Sequence, residues 1–284
     1  MSGAPFEDVL NRGAATLREA GIETARSEAK QLLLAAADMD ATALISHAQA
    51  PCPADVQRRV ADWLARRAAR EPMQHILGKA DFYGLDLKCD ARALIPRPDS
   101  EAVVDAALAR LPADATGDIA DLGTGSGCLL LAILSQRTLL SGAGIDASPE
   151  AAGLARQNVL RTSLQDRAEI IDASWAHWAG WGDCRLIVSN PPYIAAAEIN
   201  QLAPEVRRHD PLTALDGGED GLDCYRELAA LGARRMADGA WLILEIGHDQ
   251  GRSVPALLGA AGFSDIAVTQ DLGGRDRVVS ARKS

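Results

Sequence analysis

The run Ile119-Ala120-Asp121-Leu122-Gly123-Thr124-Gly125-Ser126-Gly127-Cys128-Leu129-Leu130-Leu131-Ala132-Ile133-Leu134 decides how the chain is read. It starts as a short apolar strand, turns through glycine at three alternate positions and goes on as an apolar helix. Glycine lets the backbone take positive φ and lie close to a ligand where a Cβ would collide. Gly123, Thr124, Gly125, Ser126 and Gly127 therefore form a candidate cradle, with a plain structural turn as the alternative. The dinucleotide fingerprint needs glycine where Cys128 stands, and the GxxxxGK[ST] loop does not fit either, so a diphosphate is not the obvious guest.

Outward from this loop the strand, turn, helix pattern repeats. Strands are expected at 118–122, 142–146, 168–172, 185–189 and 240–246, with a closing pair at 265–270 and 276–280. Such alternation specifies an α/β fold, a doubly wound, mostly parallel sheet of seven strands with helices on both faces. The second strand ends at Asp146, 19 residues beyond Gly127. A carboxylate at that tip can accept from both hydroxyls of a ribose, which implies an adenosine group. After the third strand, Asp172 and Trp175 are candidates to flank the adenine, with core packing the other reading of Trp175.

The fourth strand runs into Asn190-Pro191-Pro192-Tyr193. Two prolines remove two N–H donors and keep the preceding residues extended, leaving nearby carbonyls free to accept. The Asn190 side-chain oxygen and the Pro191 carbonyl can take both hydrogens of a planar NH2 group, and Tyr193 offers a ring face to the same plane. A rigid strand-ending turn is the alternative.

Composition limits the rest. The 284 residues carry 29 Lys and Arg against 39 Asp and Glu, a net charge of -10, and only 4% aromatics. That surface disfavours a stable grip on nucleic acid, which needs basic patches and stacking platforms. The five cysteines are odd in number and widely spaced, so neither a disulfide framework nor a metal site is indicated, and a reducing cytoplasm fits. No apolar run approaches the roughly 18 residues of a membrane span, and neither a signal nor a transit peptide is expected. The five histidines sit in no metal or base motif and are expected to be structural.

Residues 1–78 are Ala-rich with helical apolar spacing and read as a small bundle, including a helix from Pro53 to about Arg70 that bears Arg58, Arg59, Arg66, Arg67 and Arg70. Those arginines suit a solvated face or a docking surface for an acidic or ribonucleoprotein partner. Residues 79–98 read as a hairpin linker, and residues 99–284 as the α/β domain.

The chain resembles S-adenosylmethionine-dependent methyltransferases: Asp121 to Gly127 resembles the cofactor loop, Asp146 the ribose acid, and Asn190 to Tyr193 the signature of enzymes that methylate a planar nitrogen. Further segments resemble the HemK/PrmC family. They are Glu71-Pro72, Ile76 to Gly78, Phe82 to Gly84, Leu94 to Glu101, Ala214 to Gly218, Asp220 to Leu222, Leu244 to Gly247 with Gln250, and Asp271 to Arg277. The resemblance covers most of the chain and implies methylation of the glutamine amide nitrogen in the Gly-Gly-Gln motif of class I peptide chain release factors. It implies that residues 1–78 recognise the substrate, that Gly123 to Gly127, Asp146, Trp175 and Asn190 contact S-adenosylmethionine, and that Asn190, Pro191, Pro192 and Tyr193 hold the glutamine, with Asn190, Pro191 and Tyr193 catalytic and no metal. One departure is His209-Asp210-Pro211, where the family has Tyr-Glu-Pro.

Two other readings remain. A DNA adenine or cytosine amino-methyltransferase shares the tetrapeptide but needs a basic target-recognition region and base extrusion. A nonenzymatic nucleoside-binding module would share the cradle alone.

Overall fold

The computed structural model describes residues 3–284 and divides into two compact units, with the boundary between Gly78 and Lys79.

The smaller unit holds α1 (Phe6–Glu19), α2 (Ala25–Ala37), α3 (Ala41–Ser46), α4 (Ala54–Ala68) and α5 (Met73–Leu77). Apolar positions at helical spacing, among them Leu17, Leu32, Leu33, Val60 and Leu64, close one buried core. The arginines of α4 divide: Arg58 and Arg59 stay on an exposed face, whereas Arg67 turns inward. Arg67 is buried and binds Glu28 at 2.6 Å, Arg59 donates to the Ala36 carbonyl at 3.0 Å, and Arg70 to the Ala20 carbonyl at 2.9 Å. Arg59 and Arg70 thereby satisfy carbonyls left orphaned at the C-terminal ends of α2 and α1.

The larger unit opens with a hairpin of β1 (Lys79–Phe82) and β2 (Leu85–Lys88). More than a connection, it is built into this unit: Phe82 and Leu87 are in the main core, and the Lys88 amide donates to Asn158 Oδ1 at 2.7 Å. A single 3₁₀ turn at Pro98–Ser100 leads into α6 (Glu101–Leu108). Then come β3 (Gly117–Leu122), α7 (Cys128–Gln136), β4 (Leu140–Asp146), α8 (Pro149–Arg161), β5 (Ala168–Asp172), β6 (Cys184–Ser189), α9 (Pro204–His209), α10 (Asp223–Arg235), β7 (Trp241–Glu245), α11 (Ser253–Ala260), β8 (Phe263–Gln270) and β9 (Asp276–Lys283).

The seven strands lie in the order β5-β4-β3-β6-β7-β9-β8, with only the β9 pairings antiparallel. The doubly wound, mostly parallel sheet expected from the sequence is thus present, each strand within a few residues of its expected bounds. Alternate residues feed two cores. Ile119, Leu186, Val188 and Ile243 point to the face covered by α6, α7 and α8, while Ala120, Ile187, Leu242 and Leu244 point to the face under α10 and α11. The chain runs outward from β3 to β5 and then returns to the other side of β3 at β6. That reversal opens a crevice at the carboxyl ends of β3, β4 and β6, the place where open α/β sheets take ligands.

Candidate active site

A cavity of about 580 Å³ occupies that crevice, ample for a nucleoside-sized ligand. Its floor is the loop after β3. Gly123, Gly125 and Gly127 all have positive φ, at 72°, 57° and 85°, so a side chain at any of them strains the backbone. The loop is fixed from both sides. Its Gly123 and Thr124 amides donate to the Ile145 carbonyl of β4, and the fully buried Asn158 of α8 donates to the Ser126 carbonyl at 2.9 Å.

Asp146 ends β4 beside this floor. Its Oδ2 accepts from the Gly125 amide at 2.8 Å and its Oδ1 from the Ser148 amide at 2.9 Å. One lone-pair direction on each oxygen remains for a ligand donor. Burial raises the Asp146 pKa, and the two amides oppose that shift. Trp175 stands over Gly123, and its indole N–H donates to Glu227 Oε2 at 2.7 Å. Trp175 and Glu227 both line the cavity, whereas Asp172 does not.

Beneath the loop, Asp121 Oδ2 accepts from the Thr124 hydroxyl at 2.7 Å, while its Oδ1 and the Ser126 Oγ are buried without partners. Burial pushes the Asp121 carboxyl up to about 7, and the Thr124 hydroxyl opposes the shift. In an unfolded chain such a group titrates near 4. Between those values the folded protein holds a proton that the unfolded chain has released, so stability from this residue is present at pH 4 and lost as pH rises through about 7. Asp121→Asn removes that loss. The urea midpoint of the cofactor-free variant, relative to the unsubstituted protein, is expected to be more favourable at about pH 8 than at about pH 5. An identical difference at both pH values contradicts the assignment.

The turn after β6 forms the opposite wall. Ser189 anchors it by donating to the Leu122 carbonyl at 2.6 Å. Asn190 lines the cavity and its Nδ2 donates to Ser100 Oγ at 3.3 Å, which leaves Oδ1 as its free acceptor. Pro192 lines the cavity as well. Gly127, Pro191 and Tyr193 lie outside the lining. The Tyr193 hydroxyl is directed at Glu245 Oε1, 3.4 Å away, and burial raises its pKa. Its carbonyl accepts from Gln250 Nε2 at 3.1 Å, and the same Nε2 donates to the Gly221 carbonyl. A Cβ on Gly221 would sit 2.4 Å from the Tyr193 oxygen, so only glycine lets that segment close on the turn.

Sequence reasoning did not assign Ser100, Glu227, Asn158 or Glu245 a place at this site, although Ser100 and Glu245 lie inside motifs it quoted. The segment Leu94 to Arg97 and the residues Pro211, Thr213 and Ala214 also line the cavity. Arg97 and Asp210 tie these two edges together at 2.7 Å, with the Asp210 side chain fully buried. The departure at His209-Asp210-Pro211 therefore keeps its carboxylate partner.

Comparison with known proteins places the chain in a family. A family model described as the PrmC N-terminal domain matches residues 8–78, and one described as the methyltransferase small domain matches residues 100–207. The release factor glutamine methyltransferase of Caulobacter vibrioides is 40% identical, over 94% of this chain and 93% of its own. The protein of the same name from Bradyrhizobium diazoefficiens is 43% identical, over 100% of this chain and 96% of its own. Among solved structures, a methyltransferase from Pyrococcus furiosus superposes with a TM-score of 0.54 at 16% identity, covering 78% of this chain and 99% of that one; this likeness concerns the fold.

Proposed function

Because the chain belongs to the family of release factor glutamine methyltransferases, we propose that it methylates the side-chain amide nitrogen of the glutamine in the Gly-Gly-Gln motif of class I release factors. The cofactor is S-adenosylmethionine, which when bound supplies an electrophilic methyl group on a sulfonium. The site fits such a molecule. Asp146 has carboxylate lone pairs for ribose hydroxyls, Asp121 Oδ1 and Ser126 Oγ are buried polar atoms without partners, and the glycine loop leaves room where Cβ atoms would intrude. Gly123 to Ser126, Asp146 and Trp175 would hold it, with Gly127 closing the turn of the loop behind them.

The observation that carries the reading is the state of Asn190. One of its amide hydrogens is donated to Ser100, and its oxygen is left at a cavity wall formed by a proline turn. An amide nitrogen is a poor nucleophile because its lone pair is conjugated with the carbonyl. Asn190 Oδ1 and the Pro191 carbonyl accept its two hydrogens, orient it, and bind the more positive, less conjugated NH2 of the transition state better than the ground-state amide. Residues 1–78 serve substrate recognition and residues 99–284 the transfer, in the cytoplasm where release factors work. Stable nucleic-acid binding has no place in this reading, given a net charge of -10.

Incubation with labelled cofactor and each purified class I release factor, followed by peptide mapping, tests this directly. Label is expected on the Gly-Gly-Gln peptide and absent from the Gln-to-Ala release factor. Label on plasmid DNA in a filter assay, with none on release factors, overturns the reading in favour of base methylation.

A further inference from the structure

A tryptophan on an irregular segment lines the cofactor cavity, and part of what fixes its ring belongs to a distant helix. Trp175 follows β5 in a stretch whose main chain is fastened several times over. The Ala176 amide donates to Ser174 Oγ at 3.2 Å, the Trp181 indole N–H to the Trp175 carbonyl at 2.9 Å, and Arg235 of α10 to the Ala176 carbonyl at 2.7 Å. These bonds place the backbone, but they leave the two side-chain torsions of Trp175 to be decided by its surroundings. The ring is half-buried and packs against the edge of the core under α10 and α11.

Two contacts hold opposite edges of the indole. On the benzo edge, Cζ3 lies 3.3 Å from where a Cβ on Gly123 would stand, so the ring comes close to the bare backbone of the glycine loop. On the pyrrole edge, Nε1 donates to Glu227 Oε2 at 2.7 Å, across 52 positions of sequence. Glu227 is exposed on α10, about two turns before Arg235, so one helix grips both the main chain and the ring of this segment. The adjacent Arg226 pairs with Asp220 and Asp223, whereas Glu227 has no ion pair among the described residues. We propose that Glu227 is a positioning residue for the cofactor: its carboxylate holds the Trp175 indole in one orientation before S-adenosylmethionine binds. This rests on the assignment of Trp175 to the cofactor made above.

The gain lies in what binding no longer has to do. A ring that is free to turn must be ordered when the ligand arrives, and ordering one side chain lowers affinity by about two- to tenfold. Glu227 orders it in advance. Because this carboxylate is exposed, water competes for it and the effect falls near the middle of that range. What the ring needs from residue 227 is an acceptor at the right place, and a neutral amide oxygen supplies that as well as a carboxylate does.

The test is calorimetry of S-adenosylmethionine and of S-adenosylhomocysteine binding to the unsubstituted protein, Glu227→Ala, Glu227→Gln, Trp175→Phe, Trp175→Ala and the double variant Glu227→Ala with Trp175→Phe. Glu227→Ala is expected to raise both dissociation constants about fivefold, and Glu227→Gln to stay within about twofold of normal. Trp175→Phe loses the N–H together with part of the ring and is expected to cost about tenfold, and Trp175→Ala at least about 30-fold. Adding Glu227→Ala to Trp175→Phe should cost nothing more, since phenylalanine has no N–H for residue 227 to hold. With a release factor present and cofactor saturating, kcat of Glu227→Ala is expected within about twofold of normal. A Glu227→Gln as weak as Glu227→Ala, or a further loss in the double variant, overturns the proposal. An unchanged Kd in Glu227→Ala beside a weak Trp175→Ala removes the positioning role alone. Normal binding by Trp175→Ala removes the assignment of Trp175 beneath it as well. No release factor takes part in the calorimetry, so its outcome is separate from the identity of the methyl acceptor.

Discussion

Asn190→Ala is expected to reduce kcat by at least about 100-fold while the cofactor Kd stays within about threefold. The argument is geometric. The substrate nitrogen needs both of its hydrogens taken by acceptors on one wall, and Asn190 Oδ1 is the side-chain acceptor at that wall. A lost buried hydrogen bond is worth about 1–3 kcal/mol, and misplacement of the nucleophile by about 1 Å costs on the order of 100-fold in addition. The effect falls on kcat because the interaction strengthens as the amide loses conjugation. Single-turnover methylation of a release factor, with calorimetry of cofactor binding alongside, measures both quantities. Turnover within about threefold of normal would show that the proline turn is only a scaffold.

Asp146→Ala should do the reverse, weakening the cofactor by about 100-fold or more. Two hydrogen bonds to an ionised carboxylate, at about 1.5–3 kcal/mol each, correspond to at least about 3 kcal/mol, and every 1.4 kcal/mol is tenfold. The loss has two parts. The ribose hydroxyls lose their acceptor, and the Gly125 amide, now held at 2.8 Å by Asp146, is released so that the loop is less well ordered before binding. At saturating cofactor, kcat is expected to return to within a few-fold of normal. An unchanged dissociation constant by calorimetry removes Asp146 from the ribose site.

The two variants test the two halves of the proposed site separately, the donor half at Asp146 and the acceptor half at Asn190. The structure explains why the halves sit together: both follow strands that flank the switch point, β3 and β4 on one side and β6 on the other. A parallel sheet sends all of these loops to one end.

Much of this was legible in the sequence because the features place local demands on the chain. Gly123, Gly125 and Gly127 stand where φ is positive, a condition that glycine meets and most residues do not. Asp146 ends a strand 19 residues beyond the loop, and the two prolines announce a turn that cannot continue the interior of a sheet or a helix. Strand periodicity in turn specified the doubly wound sheet, since each strand alternates between two buried faces. The arginines of α4 show the limit of that method. A row of like charges on a helix reads as solvated surface, yet Arg67 finds Glu28 in α2 and is buried.

What the sequence determined alone, then, was the sheet, the glycine floor, the acid at the tip of β4 and the proline turn after β6. Tertiary structure alone decided which atoms of that turn are free. Ser100 meets Asn190 across 90 positions, Asn158 reaches the hairpin across 70, and Arg97 reaches Asp210 across 113. The physical reason is that a positive φ or a missing N–H is a property of one residue, whereas the partner a side-chain amide finds, or the burial that raises the Glu245 carboxyl, depends on every neighbour that the folded sheet brings within reach.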